Sequence, residues 1–212
     1  MIREPTHDDG DPAAIPDEAA VRSRLAASSA AIIGCGGLGS NIAAMLLRSG
    51  IGSLILIDHD VVEPSNLNRQ LFFLDQIGRP KIEALADTLR RINPNANLTL
   101  LNETVNAENL EALVGGADVI VEAVDGAETK AVIVNTWAAW LQETPLVTAS
   151  GLAGCDSANC ISTEPLADNC WLTGDQTSDV RAGHILLASR VMVAAAHQAH
   201  AAIRFLLGYE EP

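Results

Sequence analysis

The run Gly34-Cys35-Gly36-Gly37-Leu38-Gly39 constrains this chain more than any other feature. It follows the short apolar stretch 30–33. It precedes residues 38–49, where Ile42, Met45 and Leu46 recur at helical spacing and Gly50 is placed to end the helix. Strand, G-x-G-x-x-G loop and helix, in that order, make a turn that seats a nucleotide phosphate. Gly36, Gly37 and Gly39 allow tight turning and let backbone N–H groups at a helix N-terminus approach phosphate closely. A second apolar strand, 53–57, ends in Asp58. An acid there can accept hydrogen bonds from ribose hydroxyls. Up to this point NAD fits as well as ATP, and a plain packing turn remains the simpler alternative.

The alternation continues along the chain. Helical patterns cover 81–91, stopped at Asn93-Pro94, then 107–114, capped by Asn106, and 129–141. Short apolar runs at 98–101, 119–121 and 146–149 read as buried strands. Asp17 caps a first helix to about residue 27, and a long Ala-rich helix over 185–207 closes the chain. The pattern predicts an α/β fold: a Rossmann-like, mostly parallel sheet with helices on both faces, a loop-rich segment and a long C-terminal helix. The loop-rich segment is 151–183, long enough that it is either functional or disordered. Residues 1–16, rich in proline and acid, are expected to form a mobile N-terminal arm, and 17–212 a single domain.

Composition narrows the partners. Hydrophobic residues make up 48% of the chain but aromatics only 3%, so the core must be aliphatic. A formal net charge of -14 argues against nucleic acid and against an anionic membrane surface, since both reward clustered Lys and Arg. The greasiest segment, 185–207, contains Arg190, His197, Gln198, His200 and Arg204, which suits helix packing or a dimer contact rather than a membrane span. The first residues lack the apolar core of a signal peptide. Cys35, Cys155, Cys160 and Cys170 form no CxxC pair, so neither a disulfide framework nor structural zinc is expected. The chain reads as cytoplasmic.

Asn66-Leu67-Asn68-Arg69-Gln70 and Lys81 add chemistry that an NAD site does not need. Nucleotidyl transfer must neutralise charge on the attacked phosphorus and on departing pyrophosphate. Arg69 offers a planar fork for phosphate oxygens and Lys81 a mobile point charge. Asn66 and Gln70 add neutral donors. Asp125 follows the strand begun at Val119, at the carboxyl edge of the sheet, where a carboxylate can hold Mg²⁺ against phosphates. The plainer alternatives are a solvated polar loop, a surface lysine and a helix-capping acid.

Together, Gly36-Gly37-Leu38-Gly39-Ser40-Asn41, Asp58-His59-Asp60, the stretch 63–70, Gly78-Arg79-Pro80-Lys81, Ile92-Asn93-Pro94 and Glu122-Ala123-Val124-Asp125 resemble the adenylating domain of the ThiF/MoeB-type sulfur-carrier adenylyltransferases and ubiquitin-activating enzymes. Gly174-Asp175 and residues 195–199 look most like the short ThiF-type proteins of thiamine biosynthesis. The resemblance spans about residues 20–208. It implies ATP- and Mg²⁺-dependent adenylation of the C-terminal carboxylate of a small ubiquitin-like sulfur carrier ending in Gly-Gly, with release of pyrophosphate. By that resemblance the loop glycines approach the phosphates, Asp58 holds the ribose, Asn66, Arg69, Gln70 and Lys81 grip the triphosphate, and Asp125 binds the metal. It also implies a homodimer, an N-terminal arginine borrowed from the dimer mate (Arg22 or Arg24), and a covalent thiol in the crossover loop, for which Cys170 is the candidate, with Cys160 behind it. The alternatives are the same chemistry on another carboxylate or a tRNA base, a nucleotide-binding interaction module without turnover, and a dehydrogenase.

Overall fold

The structure is a computed structural model that describes residues 17–212; the arm expected over 1–16 lies outside the described residues. The strands are β1 (Ser29–Ile33), β2 (Ser53–Ile57), β3 (Asn97–Leu101), β4 (Val119–Glu122), β5 (Leu146–Ala149), β6 (Ser162–Ala167) and β7 (Cys170–Gly174). They form one sheet in the order β3-β2-β1-β4-β5-β7-β6. Every neighbouring pair is parallel except β6 with β7. The helices are α1 (Glu18–Ala26), α2 (Gly39–Arg48), α3 (Lys81–Ile92), α4 (Leu110–Val114), α5 (Ala127–Trp140) and α6 (Ala188–Leu206).

Strand alternation sorts the core into two layers. Ala30 and Ile32 of β1 pack with Ile42 and Leu46 of α2, Leu85 and Leu89 of α3, and the Ala-rich face of α6. Ala31 and Ile33 point the other way, to Leu110 of α4 and Ile133 and Trp137 of α5. Covering both faces is why β1, β4 and β5 read as near-continuous apolar runs. Alanines along α6 let it lie close against α2, and its end is fixed where Phe205 stacks on Trp171 with centroids 3.6 Å apart. No helix among the described residues is long and apolar enough to cross a membrane.

Two glycines fix the sheet-to-helix turn. Gly34 has φ +92°, a left-handed conformation, and a methyl there would lie 2.8 Å from the carbonyl oxygen of Ala123. A methyl on Gly39 would lie 1.8 Å from the carbonyl oxygen of Gly34. The first turn of α2 can therefore sit against the end of β1 only because both residues lack side chains.

The expected loop over 151–183 needs correction. It contains the antiparallel hairpin β6–β7, and β7 extends the parallel sheet by pairing with β5. Asn169, with φ 57°, makes the tight turn. Pro165, Glu164 and a register shift near Ala167 mask the strand pattern, and all are tolerated because β6 is the sheet's edge. Helix starts also differ. α4 begins at Leu110 because residues 107–109 form a turn, in which the Asn106 side chain accepts the N–H groups of Glu108 and Asn109 at 2.9 and 3.0 Å. α6 begins at Ala188.

Candidate functional site

A cavity of about 610 Å³ opens at the carboxyl ends of β1, β2, β4 and β5. Gly36 and Gly37 form its floor, while Asp58, Arg69, Gln70, Lys81 and Asp125 line it. Residues distant in sequence are thus brought together as the strand order requires, at the point where neighbouring crossovers part to opposite faces.

Asp58 is stapled to the glycine loop. Its Oδ2 accepts the Cys35 N–H at 2.6 Å and its Oδ1 the Asp60 N–H at 2.8 Å. Asn41, on α2, ties the loop to the next segment: its Nδ2 donates to the carbonyls of Gly37 at 2.7 Å and Arg69 at 3.2 Å. Arg69 donates from Nη1 to the Ser65 carbonyl at 3.1 Å and to Asn68 Oδ1 at 2.8 Å, both neutral acceptors. Arg69 lines the cavity, and no carboxylate among the described residues pairs with its charge. Gln70 is buried, and its Oε1 has no hydrogen-bond partner among the described residues. Such a group is costly to leave unmet, so it marks a place for a donor or a ligand. Lys81 is buried at the start of α3, with Nζ 2.7 Å from Asp60 Oδ2.

Two expected residues serve the site differently. Gly39 does not line the cavity; it is the packing glycine of α2. Asn66 does not line it either. Its side chain accepts the Glu63 N–H at 3.0 Å, and its carbonyl accepts the N–H groups of Arg69 and Gln70 at 3.2 and 3.0 Å. Asn66 therefore shapes the turn that delivers Arg69 and Gln70.

Cys170 lies in strand β7, not in a loop. It is fully buried, and its thiol is pushed up to about 11 by burial and by the nearby Glu122 carboxylate. That is the opposite of an accessible thiolate. Cys155 and Cys160 are exposed.

Metal-binding groups separate into two sets. The ligand atoms of Asp58, His59 and Asp60 lie within 4.8 Å of one another. However, Asp58 already accepts two N–H groups and Asp60 holds Lys81. The Asp125 carboxylate has no ion pair or hydrogen bond among the described residues and faces the glycine loop across the cavity. It is the hard oxygen donor free to take a divalent cation.

Two pairs stand behind the remaining walls, with Lys130 alone of the four lining the cavity, and neither pair was picked out by sequence. Glu122, fully buried at the end of β4, pairs with Lys130 of α5. Its carboxylate also accepts Thr148 Oγ1 at 2.5 Å and the Val124 N–H at 2.8 Å. A glutamate inside the apolar run 119–124 was the available signal, because a buried carboxylate demands a cation. Arg190 of α6 pairs with Asp175, and also donates to the carbonyls of Asp156 at 2.7 Å and Ser157 at 2.9 Å. Burial alone would raise the Asp175 carboxyl. The N–H groups of Ser178 and Thr177, the Ser178 hydroxyl and the Arg190 guanidinium together hold it well below the usual carboxylate range. The signal here was an arginine on the otherwise apolar face of the last helix.

The loops after β5 and β7 interlock. A methyl on Gly174 would lie 1.8 Å from the Ser150 carbonyl oxygen, and the Asp175 N–H donates to the Gly151 carbonyl at 2.8 Å.

This geometry is that of a known family. The ThiF family model matches residues 12–212. The chain belongs to the ThiF family. It is 35% identical over 198 residues to the sulfur carrier protein ThiS adenylyltransferase of Escherichia coli, covering 90% of this chain and 77% of that protein. Among solved structures, it superposes on the E. coli tRNA N6-threonylcarbamoyladenosine dehydratase in complex with ATP with a TM-score of 0.80. That pair shares 23% identity and covers 88% of each chain, so the likeness is one of fold. E. coli MccB with ATP is 26% identical, with a TM-score of 0.72, covering 91% of this chain and 59% of that one.

Proposed function

We propose that the chain is an ATP-dependent adenylyltransferase that activates the C-terminal carboxylate of a small ubiquitin-like sulfur carrier ending in Gly-Gly, of the ThiS kind used in thiamine biosynthesis. The observation that carries this is one cavity in which a glycine loop, Arg69, Lys81 and a carboxylate without a partner among the described residues converge, with open space beyond them.

The residues fit ATP. A methyl on Gly37 would crowd Val191 Cγ1 at 3.1 Å, so glycine keeps the loop backbone open to the cavity. Asp58 would accept the ribose hydroxyls, and Gln70, whose buried Oε1 has no partner among the described residues, lines the same cavity. Arg69 and Lys81 take the charge of the β- and γ-phosphates, so that pyrophosphate can leave. Asp125 would hold Mg²⁺, which supplies Lewis-acid neutralisation of phosphate charge when bound. The attacking group is a carboxylate with an ordinary pKa of roughly 3.5, already ionised at neutral pH, so the reaction needs no general base. The step forms a bond from carboxylate oxygen to the α-phosphorus and breaks the bond to the departing pyrophosphate. The resulting acyl-adenylate is then open to a sulfur nucleophile. A cytoplasmic homodimer is part of the same reading.

The test is exchange of labelled pyrophosphate into ATP. It should need Mg²⁺ and a carrier ending in Gly-Gly, and should stop when the carrier's last glycine is removed. The likeness to the tRNA dehydratase favours a second reading, in which the same site adenylates a carboxylate carried on tRNA. Exchange stimulated by tRNA and indifferent to the carrier would establish it. A net charge of -14 makes the carrier the better fit.

A further inference from the structure

The strand order lays out the cavity from one side to the other. Asp58 follows β2, the glycine loop follows β1, Asp125 follows β4, and residues 149–152 follow β5. If nucleotide occupies the β2–β1–β4 side, as the adenylation reading requires, the β5 side is left for the second reactant. The phosphate cations Arg69 and Lys81 both come from the segment joining β2 to α3. A third cation stands between the two sides, on the helix that follows β4 and held through Glu122 against β5. Lys130 ends the first turn of α5, lines the cavity, and keeps 26% of its side chain exposed.

Lys130 is held with unusual firmness for a cavity lysine. Its partner Glu122 is fully buried and is fixed from three directions: the Val124 N–H at 2.8 Å, Thr148 Oγ1 at 2.5 Å, and the Ala149 N–H at 3.4 Å. The Glu122 carbonyl is fixed as well, accepting Gln198 Nε2 of α6 at 2.9 Å. One ammonium hydrogen goes to Glu122, and no hydrogen bond among the described residues takes the other two. Glu122 therefore does two things. It neutralises half of a charge pair whose other half faces the cavity, and it stops the flexible lysine stem from swinging towards the triphosphate.

We propose that Lys130 is the cation that receives the incoming carboxylate and then the acyl oxygen of the adenylate, with Glu122 as its positioning residue. This rests on the adenylation reading above. The chemistry suits the placement. Two anions must meet, and a fixed ammonium on the acyl side offsets the charge of the entering carboxylate without drawing on the groups that hold the pyrophosphate. No proton moves: Lys130 stays charged while the carboxylate oxygen bonds to the α-phosphorus and pyrophosphate departs. Lys130 thus distinguishes acyl-adenylate from ATP, whereas Arg69 and Lys81 distinguish ATP from AMP.

Calorimetric titration tests this with three probes: MgATP, AMP and 5′-O-(N-acetylglycylsulfamoyl)adenosine, a stable mimic of the acyl-adenylate. The variants are Lys130→Met, and Lys130→Met combined with Glu122→Gln, which leaves no buried unpaired carboxylate and so guards against loss of fold. Wild-type protein should bind the mimic more tightly than AMP. Both variants should lose at least tenfold in affinity for the mimic while MgATP changes less than twofold, and Lys130→Arg should recover part of the loss. Equal weakening of MgATP and mimic would place Lys130 in the nucleotide half and overturn the proposal. So would unchanged binding of all three probes in a folded variant, or a wild-type protein that does not prefer the mimic to AMP. A wild-type protein that binds no adenine nucleotide at all would instead overturn the adenylation reading itself.

Discussion

Lys81 and Asp60 form an unequal pair: Nζ and Oδ2 are 2.7 Å apart, but the lysine side chain is 9% exposed and the aspartate 52%. The lysine cannot leave, and the carboxylate can. On the adenylation reading proposed above, Asp60 holds the place of a phosphate oxygen until nucleotide arrives. Lys81→Ala is expected to lower pyrophosphate exchange by roughly 10²–10³, the usual loss for one preorganised charge-stabilising donor. Asp60→Asn should keep at least about a tenth of the rate, since it leaves Lys81 aimed. Initial exchange rates at saturating carrier compare the two. An Asp60→Asn loss as deep as that of Lys81→Ala would give the aspartate a direct part.

Asn66 and Gln70 should separate stability from binding. Asn66 folds the turn before Arg69, so Asn66→Ala is expected to lower stability by about 0.5–2 kcal/mol, as loss of a capping side chain does. Gln70 carries an orphaned buried oxygen. Gln70→Leu should leave the melting temperature unchanged or higher, because it removes an unmet polar atom, yet it should weaken MgATP binding. Thermal melts and calorimetric titration of both variants decide this. A Gln70→Leu protein that binds MgATP normally would remove Gln70 from the nucleotide site.

Thiol labelling checks the placement of the cysteines. Iodoacetamide at pH 8 should modify Cys155 and Cys160, which are exposed, and spare Cys35 and Cys170 until the protein is denatured. Burial raises both protected thiols, Cys170 to about 11. Peptide mass spectrometry after timed quenching reads the order. Native-state labelling of Cys170 as fast as Cys160 would contradict its burial in β7.

Asp175 gives a pH signature. Its carboxyl is depressed in the folded chain below the ordinary 3.8, so its stabilising contribution is present above that value. The contribution is lost as pH falls from there through the lower folded value. Asp175→Asn should cost about 3–5 kcal/mol at pH 7, the usual penalty for breaking a buried pair. The difference from wild type should shrink steadily below pH 3.8. Urea unfolding across a pH series measures it, and a difference that stays constant to acid would show that Asp175 acts without its charge.

Local pattern was a good guide where the fold repeats one device. The glycine loop, Asp58 and the apolar runs of β1, β2, β4 and β5 were legible because a doubly covered parallel sheet writes itself as buried strands separated by helices. The hairpin β6–β7 was not, because an edge strand accepts Pro165 and charge. On the site's near side, Arg69, Gln70, Lys81 and Asp125 could be read because they lie in short runs whose types suit phosphate. Glu122–Lys130 and Asp175–Arg190 were missed because each joins separate elements. Their meaning comes from burial, which no run of neighbours records. Asn66 shows the reverse: its type suits a ligand, and only the fold shows it serving the backbone.

The reach of Arg190 also bears on how the protein comes into being. Its guanidinium fastens Asp156, Ser157 and Asp175, lying 34, 33 and 15 residues behind it in the chain. During synthesis, which proceeds at about 5–20 residues per second, the glycine loop and Lys81 emerge well before this clasp exists. A nascent chain thus carries the glycine loop and Lys81 before it has the helix that packs on the core beneath them. The final helix both covers the core beneath the glycine loop and ties down the loops after β5 and β7, and a chain released before it is complete would lack both.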